Sequence, residues 1–560
     1  MKDSASVPET KPPAKTGAIQ MTGGEAIVRS LSANGVDTLF CIPGVELNAF
    51  FVALYDHREK FKVITNRHEQ GCAYMALGYA RSTGKVGAYA VVPGPGFLNS
   101  SAALSTAYAG SSPVFCVTGQ VPSQQIGRGA GAHHEINNQL DILRNLTKYA
   151  ARMEHPAEVP EVMDQAFRAI KSGRPRPVGV EMSPDMMAKL APVSQLGAAV
   201  PPAPPEADPE LIEQAAKLLG EAANPIIAIG GGIYGAEDVV LRLAEMTETP
   251  VMMSRNAKGA VSFRHHLGLP ESAGHRLWAD VDVVLSIGTR LNEVYKFWGV
   301  HKDVKVIRID IDPMEIERNG KPTVGILADA RQALSAIADR VGQYLRPRAS
   351  RKEELNGLKA RLAKDHESLT PQIDYVNAIR RELPDDGIVV SEATQIAYAA
   401  RVAMPFYCPR TFLTAGYSGT LGFGFPTALG AKVANPDKQV VSISGDGGFL
   451  FGASELAAAV QNKIAAVTLV FNNNAYGNVK REQLEKFGGR VIASDLTNPD
   501  FVKLAEAYGA QGLRAKSPEE LAVALRKGFS HDGPTVIEIP VGDLPSPWHL
   551  IDMPKVERKK

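Results

Sequence analysis

Residues 442–478 read SISGDGGFLFGASELAAAVQNKIAAVTLVFNNNAYGN. An apolar run ends in an acid set between glycines, a helical pattern follows, and a second apolar run ends in asparagines. Strand VVSIS (440–444), helix ASELAAAVQNK (453–463) and strand AAVTLVF (465–471) read as one βαβ unit. Such units imply parallel strands covered by helices on both faces, with ligands held beyond the carboxyl ends of the strands. If the two strands lie close in the sheet, Asp446 and Asn473 emerge at the same edge. A carboxylate, an amide oxygen and a nearby backbone carbonyl make a hard-oxygen site suited to Mg²⁺ or Ca²⁺, and Mg²⁺ is often completed by phosphate oxygens. Gly445 and Gly447 flank Asp446 and let backbone approach a phosphate closely, and the following helix N-terminus favours an anion. The plainer alternative is a βα turn followed by an Asn-rich loop.

The same alternation runs outward through the chain. DTLFCIP, FKVITN and VGAYAVVPG read as strands in the first third, PIIAIGGG, PVMMS, DVVLSIG and VKVIRIDID in the middle, and GIVVSEA and PTVIEIP in the last. The fold class is therefore α/β, with three doubly wound parallel-sheet domains. Their expected spans are 18–193, 205–345 and 370–545. A Pro/Ala-rich linker (194–204) should be extended, and a charged segment (346–369) reads as a solvated helix with a break at Pro371. Residues 1–17 read as a disordered Pro/Lys tail, and 546–560 as a C-terminal tail whose ERKK end is frayed.

Composition narrows the function. The 560 residues carry a net charge of +1, which gives no pull toward nucleic acid or anionic membrane. Four scattered cysteines without a CxxC pair argue against zinc and disulfide scaffolds and fit a reducing, cytoplasmic setting. No run approaches the roughly 18 apolar residues of a membrane helix, and the N-terminus lacks the apolar core of a secretory signal.

The GDG, helix-length spacer and NN of 445–473 resemble the diphosphate motif of thiamine-diphosphate-dependent enzymes. The resemblance implies Mg²⁺ held by Asp446, Asn473 and the backbone oxygen of Ala475, with Gly447 and Gly448 at the diphosphate. NRHEQGCAYMALGYARSTGK (66–85) is similar to the pyrimidine-binding segment of acetolactate synthase-like members, which makes Glu69 the carboxyl that activates the cofactor. Taken alone, Glu69 is a first-turn charge matched to a helix dipole. TAGYSGTLGFGFPTALGA (414–431) resembles the stretch that bends the cofactor, with Leu421 as the apolar wedge and Gly419 offering its carbonyl; alone it is a Gly-rich turn opening an apolar helix. In SEATQ (391–395), Thr394 and Gln395 match the loop near the diphosphate, or simply cap a helix. The family pattern covers most of 18–550 and names the three pieces pyrimidine-binding, central and diphosphate-binding domains. It implies decarboxylation of a pyruvate-like 2-oxo acid with carboligation to a second carbonyl, by a homodimer or homotetramer with active sites between subunits.

Departures from the pattern matter. Where anabolic acetohydroxyacid synthases resemble GMVxQW, this chain reads GNVKREQ, with Asn478 at the Met position and Glu482 at the Trp position. A polar pocket disfavours an apolar acceptor. GAGAHHEINN supplies His133 and His134, and pyruvate decarboxylase-like enzymes use a His pair in a comparable region for proton transfer; two solvated loop histidines are the alternative. A simple 2-oxo-acid decarboxylase releasing an aldehyde is therefore the second expectation, and a noncatalytic cofactor-binding protein the third. His68 is expected to be a supporting hydrogen-bond donor. The fingerprint Gly230-x-Gly232-x-x-Gly235 lacks the acid that NAD binding requires further on. FAD is the candidate second cofactor of this domain, because Arg290 in SIGTRLNE resembles a flavin-contacting position of the relatives; a plain βα loop with a surface Arg is the alternative.

Overall fold

The computed structural model describes residues 17–558; the expected N-terminal tail lies outside the described residues apart from Gly17. Three six-stranded parallel sheets carry the chain, as the alternating apolar runs predict. The first sheet runs, edge to edge, Lys62–Thr65, Thr38–Cys41, Gly87–Val91, Val114–Gly119, Val178–Met182, Tyr149–Met153. The third runs Phe412–Thr414, Ile388–Ser391, Val440–Gly445, Val467–Asn472, Thr535–Pro540, Gln511–Arg514. Numbered within each domain, both orders are 2-1-3-4-6-5, so the two domains are the same fold used twice. The central sheet follows the dinucleotide-fold order 3-2-1-4-5-6, with its reversal between Pro225–Ile229 and Val283–Ile287. A two-stranded antiparallel ribbon, Ile19–Thr22 with Leu190–Val193, closes the first domain and was not foreseen.

The first and third domains share one core. Helix Glu69–Thr83 is buried along nearly its whole length, which an apolar pattern on all sides requires. Glycine in the left-handed conformation ends it at Gly84 (φ 80°). It packs on helix Gly424–Ala434 through two bare backbones: a Cβ at Gly78 would lie 2.0 Å from the Thr427 carbonyl, and one at Gly430 1.9 Å from that of Met75. Tyr74 meets Phe423 edge to face at 5.8 Å, and Asn435 donates to Ser82 at 2.9 Å.

Two sequence expectations need correction. The charged segment is not simply a solvated helix: helix Lys352–His366 buries Leu355, Leu358 and Leu362 against the central core, because these leucines share one helical face. The described part of the C-terminal tail is not frayed but strapped across the central domain. His275 meets the Pro554 carbonyl at 2.9 Å, Val556 donates its N–H to Trp298 at 3.0 Å, and Arg558 pairs with Asp303. Among the described residues no helix is long and apolar enough to cross a membrane, and none of the four cysteines is paired.

The backbone contact gives a direct test. Gly430→Ala must push aside the Met75 backbone and should cost about 1–3 kcal/mol, the usual range for overpacking. Gly357→Ala makes the same change inside helix Lys352–His366, where the nearest atom is an Arg361 nitrogen 3.5 Å away. It should gain about 0.5–1 kcal/mol. Urea unfolding midpoints that move together for both variants would contradict this packing.

Candidate functional site

Strands Val440–Gly445 and Val467–Asn472 pair directly, with Gly445 opposite Phe471, so Asp446 and the asparagine run leave the sheet side by side. The helix after the first strand starts earlier than expected, at Asp446 itself (Asp446–Leu450), and continues as a turn, Ala453–Glu455, and helix Leu456–Gln461. Asp446 is 2% exposed. Its Oδ1 accepts from the Gly447 N–H at 2.9 Å; its Oδ2 accepts from Asn498 Nδ2 at 2.7 Å and from the Ala475 N–H at 3.3 Å. The same Asn498 amide donates to Asn472 Oδ1 at 2.9 Å and Asn474 Oδ1 at 3.3 Å. One amide nitrogen thus occupies a ring of three side-chain oxygens, the donor set a hard divalent cation prefers. Burial raises the Asp446 carboxyl above its ordinary range, against the pull of these hydrogen bonds. The Asn473 side chain rests against Gly477. Asn498 was missed in the sequence, because nothing local marks it.

A second buried acid organises this edge. Glu392, between Ser391 and the expected site residue Thr394, is buried and accepts from the Gly422 N–H at 2.6 Å, while its Oε2 has no partner. The bare backbones of Gly424 and Gly448 also face its carboxyl. Desolvation pushes this carboxyl up to about 7, partly opposed by N–H donors of 422–424 and by Ser444. Glu392 therefore joins the 391–395 loop, the 419–424 turn and the GDGG loop. Within that frame Gly419 (φ 59°) is exposed and Leu421 half-buried. Thr394 stands at the N-cap of helix Gln395–Ala403 without a side-chain capping bond, and its side chain faces Gly445. Gln395 accepts from Arg481 at 3.2 Å. Asn478 accepts from Trp548 Nε1 at 3.0 Å, and Glu482 pairs with Lys486 at 2.8 Å, so both are tied to neighbours.

On the first domain, Glu69 opens its helix and its Oε2 accepts from Asn99 Nδ2 at 2.9 Å. His68 caps the helix, its Nδ1 accepting from the Gln70 N–H at 3.2 Å. His133 and His134 stack at 3.9 Å between ring centroids. They face a residue the sequence reading overlooked, the buried Glu46: His134 Nδ1 lies 3.4 Å from its Oε2 and His133 Nε2 3.8 Å from its Oε1. Val92 stands between the two acids, its methyl groups facing Gly44 beside Glu46 and Gly96 beside Glu69.

The central domain holds a cavity of about 400 Å³ at its strand reversal, reaching both other domains. Gly230–Gly232, Arg81, Arg174, Arg410 and Asp310 are on its walls. Arg290 is not a free surface residue: it grips Glu315 through two bonds of 2.9 and 3.0 Å.

Comparison with known proteins gives the same three-part division. Residues 21–144 match the thiamine pyrophosphate enzyme N-terminal TPP binding domain, 212–337 its central domain and 392–539 its C-terminal TPP binding domain. A probable acetolactate synthase large subunit of Methanocaldococcus jannaschii is 34% identical, covering 93% of this chain and 92% of that protein. The probable 2-ketoarginine decarboxylase AruI of Pseudomonas aeruginosa is 33% identical over 93% of this chain and 94% of its own length. The acetolactate synthase isozyme 1 large subunit of Escherichia coli is 30% identical over the same shares, 93% and 94%.

Glu392 carries a stability prediction. Glu392→Ala leaves the buried Gly422 N–H without its acceptor and should cost about 1–3 kcal/mol, whereas Glu392→Gln keeps an acceptor and should cost less. Chemical denaturation of both variants checks this; an Ala variant as stable as the wild type would remove Glu392 from its joining role.

Proposed function

The chain belongs to the thiamine pyrophosphate enzymes, and on that premise we propose that it uses thiamine diphosphate and Mg²⁺ to release CO₂ from a 2-oxo acid and joins the retained carbon to a second carbonyl, as an acetolactate synthase does. The observation that supports this is the Asp446 site: a buried carboxylate at a parallel strand edge, gathered with the Asn472 and Asn474 side-chain oxygens around the Asn498 amide nitrogen. When bound, the cofactor supplies the carbon nucleophile and the electron sink that loss of CO₂ demands. The chain's own residues hold and tune it. Asp446, Asn473 and the Ala475 carbonyl would be the metal ligands, and Gly445, Gly447, Gly448 and the uncapped Thr394 hydroxyl would take the diphosphate, with Gln395 beside them. Gly419 would offer its carbonyl to the pyrimidine amino group, and Leu421 would give the cofactor an apolar support. Glu69 holds a proton at its carboxyl for the pyrimidine ring, with Asn99 fixing Oε2 and leaving Oε1 free to do so.

Glu46 favours a second reading, release of a free aldehyde. A buried carboxylate against His134 and His133 is a proton store beside Glu69, with His133 open to solvent. The decarboxylase among the relatives supports it. In the central cavity, glycine loops and arginines suit the phosphates of a nucleotide such as FAD. We take a homodimer or homotetramer as the working assembly; the exposed Val45, Val52 and Tyr55 support a covered face there.

A panel of 2-oxo acids, assayed for CO₂ and for products with and without thiamine diphosphate and Mg²⁺, separates the readings. An acyloin or acetolactate-type product supports carboligation, and a free aldehyde the second reading. Glu69→Gln should lower turnover by at least about 100-fold, the scale of general acid–base contributions, while thiamine diphosphate still binds. Unchanged turnover in that variant would sink the assignment of Glu69.

A further inference from the structure

The helix that begins at Glu69 starts under a carboxylate from another domain. Glu455 is fully buried and sits on the turn Ala453–Glu455, in the segment that continues from Asp446. Its Oε1 accepts from the His68 N–H at 2.8 Å and the Arg67 N–H at 3.1 Å; its Oε2 accepts from Asn66 Nδ2 at 2.9 Å and again from Arg67 N–H at 3.3 Å. Gly71, in the first turn, leaves room for it: a Cβ there would fall 2.4 Å from Glu455 Oε1. The third domain thus contributes an anion to the N-terminus of a first-domain helix, and Glu69 is the first residue of that helix.

The partial positive charge of a helix N-terminus favours a carboxylate beside it, and every hydrogen bond to Glu455 comes from an N–H at that terminus. The other titratable groups around the pair are Cys72 on the helix, Cys41 on the adjoining strand, His68, and Arg67. Arg67 turns its guanidinium away, onto Gln461 at 2.7 Å and the carbonyls of Thr65 and Asn66. Glu46, with His133 and His134, lies across Val92.

We propose that Glu455 is the positioning residue for Glu69: its hydrogen bonds to residues 66–68 fix the start of the helix, and with it the place from which the Glu69 carboxyl is presented. The inference rests on the reading of Glu69 as the proton-holding carboxyl. It also makes the diphosphate segment and Glu69 one mechanical unit within a chain, through the stretch from Asp446 to Glu455.

Glu455→Gln keeps the shape and the acceptor that position the helix, and Glu455→Ala removes both. The amide oxygen keeps the bonds from Arg67 and His68. The new amide nitrogen meets Asn66, whose Oδ1 has no partner, so a flip of the Asn66 amide satisfies the new donor. The test uses the holoenzyme in D₂O and follows exchange of the C2 proton of bound thiamine diphosphate by quench and NMR across pH, a readout that needs no substrate. Thiamine diphosphate affinity and the unfolding midpoint are measured alongside. For Glu455→Gln we expect affinity within about threefold, an unfolding midpoint near wild type and exchange near the wild-type rate. Glu455→Ala strips buried N–H groups of their acceptor and should lower stability; with affinity still within about threefold, its exchange should be roughly tenfold slower, the scale on which a misplaced catalytic group loses rate. An Ala variant that exchanges at the wild-type rate, or a Gln variant that exchanges as slowly as the Ala variant, overturns the proposal. If Glu69→Gln exchanges as fast as the wild type, the role of Glu69 itself fails, and that of Glu455 falls with it.

Discussion

Backbone-to-backbone contact at Gly78 and Gly430 is the constraint on which the rest of the architecture depends. Any side chain at either point would force apart the helices that follow Glu69 and the 419–423 turn. Because they touch, the first and third sheets share one apolar core between them, while each keeps a core of its own on its other face. The starts of both helices are then held in a fixed relation, which hydrogen bonds refine: Thr106 to Thr420 at 2.9 Å, and Glu455 to Asn66, Arg67 and His68. A rigid shared core is the usual way to keep groups on different elements within the tolerance that catalysis requires.

The repeated 2-1-3-4-6-5 order explains why chemistry gathers where it does. In each outer domain the order reverses between the first and third strands, and the loops leaving those strands splay apart into a crevice. In the third domain they carry Glu392 and Asp446; in the first they carry Glu46 and the Val92–Gly94 turn, with Glu69 on the neighbouring strand's exit. Asp446, Glu392 and Glu455 are buried and met by N–H donors rather than by Lys or Arg side chains. Glu46, buried as well, faces imidazoles instead. Such acids are costly unless their surroundings or a bound group complete them, which is the character of a site built to be filled. The central domain, with its different strand order, forms its cavity at its own reversal point.

Much of this was legible in the sequence because it depends on local periodicity. Apolar runs gave the strands, and Asp446 and the asparagine run at successive strand ends announced a shared edge. The α/β class with three parallel sheets followed from the same alternation. What was not legible depends on partners far away in the chain. Glu455 looks like an ordinary helical glutamate in ASELAAA, and its acceptors' donors lie 387–389 positions earlier. Glu46 is a lone acid after a strand until the fold brings His133 and His134 against it. Glu392 was passed over for Thr394 and Gln395, since its importance lies in backbone N–H groups that carry no sequence signature. In the linker, three leucines among many charges were outweighed in composition, though their spacing marks a buried face. The tail's docking uses backbone carbonyls, which no side-chain pattern predicts.

The most direct test of the central claim is a calorimetric titration of the protein with thiamine diphosphate, with and without Mg²⁺, in the wild type and in Asp446→Ala. The account predicts saturable binding of one cofactor per chain that depends on Mg²⁺ and is lost in the variant. No binding, or binding indifferent to both Mg²⁺ and Asp446, would contradict it.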